Sequence, residues 1–83
     1  MKQLIYFSAV WCQPCKMLGP VMEELQAEGI NVQKVDVDVN SDLPQKYGVR
    51  NIPTVVFTVN GEEISRKVGA SPKKTYLDMY NQN

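Results

Sequence analysis

The chain has 83 residues, 43% of them hydrophobic and 22% charged, with nine Lys+Arg against nine Asp+Glu; this is the composition of one globular domain, expected to span residues 1–83, and not of a disordered chain. A formal net charge of +0 lacks the basic footprint of a nucleic-acid-binding domain, and no apolar run approaches the roughly 18 residues of a membrane span. With no histidine and two cysteines, a His-dependent hydrolase is excluded, as is any metal site drawing four Cys/His ligands from one chain.

Leu4-Ile5-Tyr6-Phe7 is a short apolar, aromatic run that predicts a buried strand. A helix follows, because Leu18, Val21, Met22 and Leu25 recur at the spacing of one helical face. Pro14 suits its first turn, where a missing N–H costs nothing, and Gly29 suits its C-terminal cap. Pro20 lies inside the pattern and predicts a kink. Val32, Val35 and Val37 predict a second strand over 31–37. Strand, helix and strand at this spacing form a βαβ unit, so the two strands are expected to be parallel.

The polar stretch 36–42 predicts a loop, with Asp42 capping a short helix over 43–47 that ends at Gly48. The β-branched run Thr54 to Val59 predicts a strand. Asn60-Gly61 then predicts a tight hairpin into a strand over 62–68, since both turn residues need positive φ. Ser71-Pro72 reads as a cap followed by a first-turn proline, and Tyr76, Leu77 and Tyr80 give a last helix its apolar face. The order βαβ-α-ββα is that of an α/β chain with a four-stranded mixed sheet flanked by about three helices.

Cys12-Gln13-Pro14-Cys15 falls where the first strand ends and the first helix begins. A thiol at a helix N-terminus faces unpaired N–H groups and the positive end of the macrodipole. Both favour thiolate, lowering a cysteine from about 8.5 towards ~7 or below. Cys12 is expected at the mouth of the helix, exposed to a partner. Cys15 is expected one turn further in on the same face, near enough to close a small disulfide ring. Cys12 would attack a substrate disulfide, and Cys15 would then attack the mixed disulfide and release the reduced substrate. Three other readings of the pair stand beside this one: half of a zinc knuckle completed by a second chain, a purely structural disulfide, or two core thiols that do no chemistry. Met1-Lys2-Gln3 leads straight into the first apolar run without the features of a signal peptide. A cytoplasmic location, where thiols stay reduced, is therefore expected.

Phe7, Ala9, Trp11-Cys12-Gln13-Pro14-Cys15-Lys16, Pro20, Tyr47-Gly48-Val49-Arg50, Ile52-Pro53-Thr54, Asn60-Gly61 and Val68-Gly69-Ala70 together make the chain resemble the thioredoxin family, from about Leu4 to the last helix. The resemblance implies a thioredoxin-like fold without the family's usual N-terminal strand and helix, similar in size to glutaredoxins and to the short thioredoxins of phages and archaea. It implies Cys12 as the attacking cysteine and Cys15 as the resolving one. It implies that Pro53 is the family's cis-proline, facing the pair and leaving the backbone of Ile52 free to pair with an extended substrate segment. Trp11, Gln13, Pro14 and Gly69 would border that docking groove. A trans-proline at the start of an edge strand, and a half-buried packing role for Trp11, are the structural alternatives.

The implied activity is reduction of protein disulfides by a monomer. The dithiol is itself the redox group, so no bound cofactor is expected. The implied partners are disulfide-containing proteins and an NADPH-linked thioredoxin reductase, with no nucleic acid and no membrane. Two alternatives are a glutaredoxin-like electron donor to a dedicated enzyme such as ribonucleotide reductase, and a non-catalytic binding subunit with the same fold.

Several positions depart from the family pattern. A buried Asp usual in the first strand is Tyr6 here. A phenol titrates near ~10 and cannot act as the same base, so Tyr6 is expected to tune the pair. The Lys that accompanies that Asp is Lys34, expected to be a solvated surface charge. Ser8 replaces a common Trp, and Gln13 replaces a Gly, adding bulk and a polar group beside Cys12. Arg66, Lys67, Lys73 and Lys74 form a weak basic cluster, read as a solvated face or as a surface for an acidic partner.

Overall fold

The computed structural model describes residues 1–82. Its elements are β1 (Lys2–Ser8), α1 (Gln13–Ala27), β2 (Val32–Asp36), α2 (Asp42–Lys46), β3 (Thr54–Val59), β4 (Glu62–Val68) and α3 (Lys73–Asn81). The strands form one sheet in the order β2-β1-β3-β4. β1 runs parallel to β2 and antiparallel to β3, and β3 pairs antiparallel with β4. This is the four-stranded mixed sheet expected from the element order.

β1 is central and buried on both faces, which explains its unbroken apolar run. Leu4 and Tyr6 face Leu18, Met22 and Leu25 of α1 and Tyr76 of α3, together with Val55 and Phe57 of β3. Ile5 and Phe7 join Val35 and Val56 on the opposite face, with Leu43, Tyr47, Val49 and Ile52 packed over them. Each fully buried Leu, Val or Phe contributes about 1.5–3 kcal/mol relative to exposure. β1 is longer than its apolar run because Lys2 and Gln3 pair with Val59 and Thr58. β2 ends one residue earlier than expected, although the Val37 N–H still donates to the Ser8 carbonyl at 2.9 Å.

α1 closes at Gly29, whose φ of +91° places it in the left-handed region. The Gly29 N–H donates to the Gln26 carbonyl and the Ile30 N–H to the Leu25 carbonyl, both at 3.0 Å. That is a Schellman closure, and glycine accepts it without a Cβ penalty. Pro20 lies inside α1, where its ring leaves the Lys16 carbonyl without its usual helical donor. Asn60 and Gly61 have φ of 53° and 85°, as a type I′ hairpin turn requires.

Two local expectations are corrected, and one irregularity is added. Asp42 is the first residue of α2 and not its cap; Ser41 takes the cap position without a side-chain bond. The Asn40 side chain accepts instead from the Asp42 and Leu43 N–H groups, at 3.0 and 3.3 Å. At α3, Pro72 is itself the cap residue with extended ψ of 155°, and no side chain caps the helix. The Ser71 N–H, just before the cap, donates to the Tyr76 hydroxyl at 3.0 Å, a local bond that ties the chain entering α3 to the helix. In β4 the register shifts between the Phe57–Ser65 and Thr58–Glu63 pairs. This bulges Ile64 out of the ladder.

Candidate functional site

The site is built where β1 hands over to α1. After Ala9 the chain turns, and the Cys12 N–H donates back to the Ala9 carbonyl at 3.2 Å. Cys12 is the cap residue of α1, with extended φ and ψ of −83° and 112°, and its Sγ accepts the Cys15 N–H at 3.3 Å. Pro14 sits in the first turn, where no intrahelical N–H is needed. One helical turn brings the Cα atoms of Cys12 and Cys15 to 5.2 Å, and the two sulfurs form a disulfide.

Both cysteines are 4% exposed. This corrects the expectation that Cys12 stands open at the helix mouth. The pair packs with Ala9 and is covered by Val37 and Ile52, and the disulfide holds the Cys12 sulfur back over the first turn. The surface around it is nevertheless open and apolar. Trp11 is 66% exposed and Met17 76%, and Gln13 and Pro14 are exposed between them. Trp11 is therefore not a half-buried packing residue. Its indole N–H donates to Asp38 Oδ2 at 2.8 Å, which tethers the ring to the β2–α2 loop.

The Ile52–Pro53 peptide bond is cis, and Pro53 is buried. The Gly69 N–H donates to the Pro53 carbonyl at 2.8 Å, and among the described residues the Ile52 backbone makes no main-chain hydrogen bond. The structure thus brings Cys12, Cys15 and Ile52 into one cluster, and joins Gly69 to Pro53 beside it. Beneath the pair, the Tyr6 hydroxyl donates to the Cys15 carbonyl at 2.8 Å. Burial pushes the Tyr6 phenol above its ordinary value, so it stays protonated and acts as a donor. Lys34 is exposed, as expected, and lies opposite Tyr6 in the parallel register.

The basic cluster is largely consumed within the chain. Arg66 pairs with Glu63 at 2.6 Å, Lys73 bridges Glu24 and Glu28 of α1, and Lys74 pairs with Asp78 at 2.8 Å. The solvated-face reading fits this arrangement better than a surface for an acidic partner. Asp38 was not distinguishable in the sequence from its polar loop. Its significance depends on a contact 27 residues away, which no local pattern carries.

Residues 1–82 match the family model described as Thioredoxin. The thioredoxin of Rickettsia bellii is 41% identical over 83 residues, covering 96% of this chain and 79% of that protein. The thioredoxin of Bacillus subtilis is 41% identical over 80 residues, covering 93% and 77%. Among solved structures, a point variant of thioredoxin from Halobacterium salinarum superposes with a TM-score of 0.90 at 39% identity, covering 98% of this chain and 73% of that one. The chain belongs to the thioredoxin family, and its Cys12–Cys15 pair makes it a thiol–disulfide oxidoreductase.

Proposed function

We propose that the chain reduces protein disulfides with Cys12 as the attacking thiol and Cys15 as the resolving one. The observation that carries this is the placement of Cys12 as the cap of α1, with its sulfur accepting the Cys15 N–H. An anion on that sulfur is stabilised by the amide and by the helix dipole. Cys15 lies inside the helix, one turn beneath. The substrate segment runs extended beside Ile52 and Pro53, pairing with the free Ile52 backbone. Trp11, Gln13, Pro14 and Gly69 border it. A recessed Cys12 means that a flexible, extended disulfide segment reaches the sulfur more readily than one held in a rigid surface.

The working unit is a monomer of one domain over 1–83, acting in the cytoplasm and recharged by an NADPH-linked thioredoxin reductase. The dithiol itself carries the electrons. Insulin-disulfide reduction with dithiothreitol tests the activity. Turnover is expected from the wild type and none from Cys12→Ser, while Cys15→Ser should hold substrates as mixed disulfides on Cys12. Full biological activity of a Cys12→Ser, Cys15→Ser double variant would instead establish a binding subunit. Recharging by glutathione alone would establish a glutaredoxin-like donor.

A further inference from the structure

On the face of the sheet that carries Tyr6, a cleft of about 300 Å³ opens between α1 and β2 and reaches Cys15. Its floor is Tyr6 and Ser8, its α1 wall includes Cys15, Gly19 and Glu23, and its β2 wall is Lys34 and Asp36. The parallel register places Lys34 beside Tyr6 and Asp36 beside Ser8, so both β2 side chains share the face of Tyr6. A volume of this size holds several water molecules. Gly19 is the unusual member. Glycine is unfavourable inside a helix, yet a Cβ there would meet nothing within 4 Å. Close packing is not what it provides: Gly19 lines the cleft without filling it, and a side chain longer than that of Ala would reach into it.

The resolving step needs that opening. Cys15 must lose a proton before it can attack, and Tyr6 cannot take it: its hydroxyl donates to the Cys15 carbonyl, and it is a buried neutral phenol. The other ionisable groups facing this space are Lys16 and Glu23 from α1 and Lys34 and Asp36 from β2; Tyr76 of α3 lies in the same core cluster as Tyr6. Glu23 is exposed, whereas Asp36 is half-buried. Asp36 Oδ1 accepts the Asp38 N–H at 2.9 Å, which fixes the carboxylate at the strand end, and among the described residues its second oxygen accepts no hydrogen bond.

We propose that this cleft is the proton port of Cys15, with Gly19 in its α1 wall, through which water passes the resolving thiol's proton to the carboxylate of Asp36. It rests on the assignment of Cys15 as the resolving cysteine. In the full step, the Cys12 thiolate attacks the substrate disulfide, forms the mixed disulfide and expels one thiolate. Cys15 gives its proton through the cleft water to Asp36, and its thiolate attacks Cys12 Sγ. The Cys12–Cys15 bond forms, the mixed disulfide breaks and the second substrate thiolate leaves. Two thiols are oxidised and one disulfide is reduced, and the proton passes from Asp36 to bulk solvent.

One equivalent of Ellman's reagent mixed with the reduced protein tests this, because the two thionitrobenzoate releases report Cys12 attack and Cys15 resolution separately, without protein docking. Asp36→Asn keeps the Oδ1 acceptor for Asp38 and is expected to slow the second release roughly ten-fold at neutral pH, below what a directly placed general base contributes. The difference should shrink as pH rises, and Asp36→Glu should recover part of the rate. Gly19→Leu should slow the second release across the pH range, whereas Gly19→Ala should change it less than about two-fold. The first release should be unchanged in all four. An unaltered second-release pH profile in both Asp36→Asn and Gly19→Leu overturns the proposal, as does slowing by Glu23→Gln in place of Asp36→Asn. Loss of the first release in the wild type would instead defeat the assignment of Cys12.

Discussion

The phenol of Tyr6 and the main-chain carbonyl of Cys15 are joined by a 2.8 Å hydrogen bond that ties the central strand to the first turn of α1. Tyr6 is 1% exposed, so the bond is made out of water and the hydroxyl has a partner where an unpaired one would be expensive. Tyr6→Phe is expected to lower stability by about 1 kcal/mol, read as a fall in the urea midpoint at unchanged slope. The pH dependence has a definite sign. Burial raises both the Tyr6 and the Tyr76 phenols, so unfolded chains ionise first as pH rises past about 10. The stabilisation is complete below that pH and is lost as pH climbs through the folded values. The oxidised Tyr6→Phe variant should lose stability less steeply above pH ~10 than the wild type. Parallel curves would mean that Tyr6 ionises as easily folded as unfolded.

The same residue bears on the reactive sulfur. A carboxylate under the pair would oppose a second negative charge on Cys12. A neutral phenol does not. Tyr6→Asp is therefore expected to raise the Cys12 thiol by on the order of one pKa unit. Alkylation rate against pH measures this directly on the reduced protein. An unmoved Cys12 titration would show that the position does not act electrostatically on that thiol.

Much of this arrangement is legible in the sequence because it depends on local chemistry. Pro14 and Gly29 mark the ends of α1, Asn60-Gly61 marks the hairpin, and the cysteine spacing equals one helical turn. Most of what escapes depends on tertiary neighbours. Cys12 is covered by Ile52 and Val37, so its burial cannot be read from its place at a helix mouth. The two helix starts escape for another reason, because the choice among neighbouring polar side chains is local: Asn40 and not Asp42 caps α2, and the Tyr76 hydroxyl takes the Ser71 N–H. The bulge at Ile64 depends on how β4 meets β3, not on the composition of either strand.

Trp11 and Asp38 make a tether that can be tested with the chain's single tryptophan. The indole is largely exposed, and its N–H reaches Asp38 Oδ2 at 2.8 Å. An exposed bond of this kind adds little to global stability, about 0.5 kcal/mol or less. Its effect is on order: without it the ring loses a fixed orientation beside Cys12. Asp38→Ala should lower the fluorescence anisotropy of Trp11 and leave the urea midpoint nearly unchanged. Insulin reduction should fall a few-fold, while the first reaction with Ellman's reagent keeps its rate. Equal slowing of both reactions would place the effect on the thiol and not on docking.

Reduction of the pair should weaken the fold modestly. The disulfide joins residues separated by three positions, and so small a ring removes little freedom from the unfolded chain, about 2 kcal/mol on the loop-entropy scale. Urea unfolding with and without dithiothreitol measures the difference, and the Cys12→Ser, Cys15→Ser double variant should fall close to the reduced protein. The sign connects stability to function through a closed cycle. If folding favours the disulfide by that amount, the folded dithiol is a stronger reductant than the unfolded one by roughly 40 mV. That is the direction needed for a chain that gives electrons to other proteins. A reduced form more stable than the oxidised one would make the folded pair a weaker reductant than the unfolded dithiol, and folding would then oppose the reductive role assigned to Cys12 and Cys15.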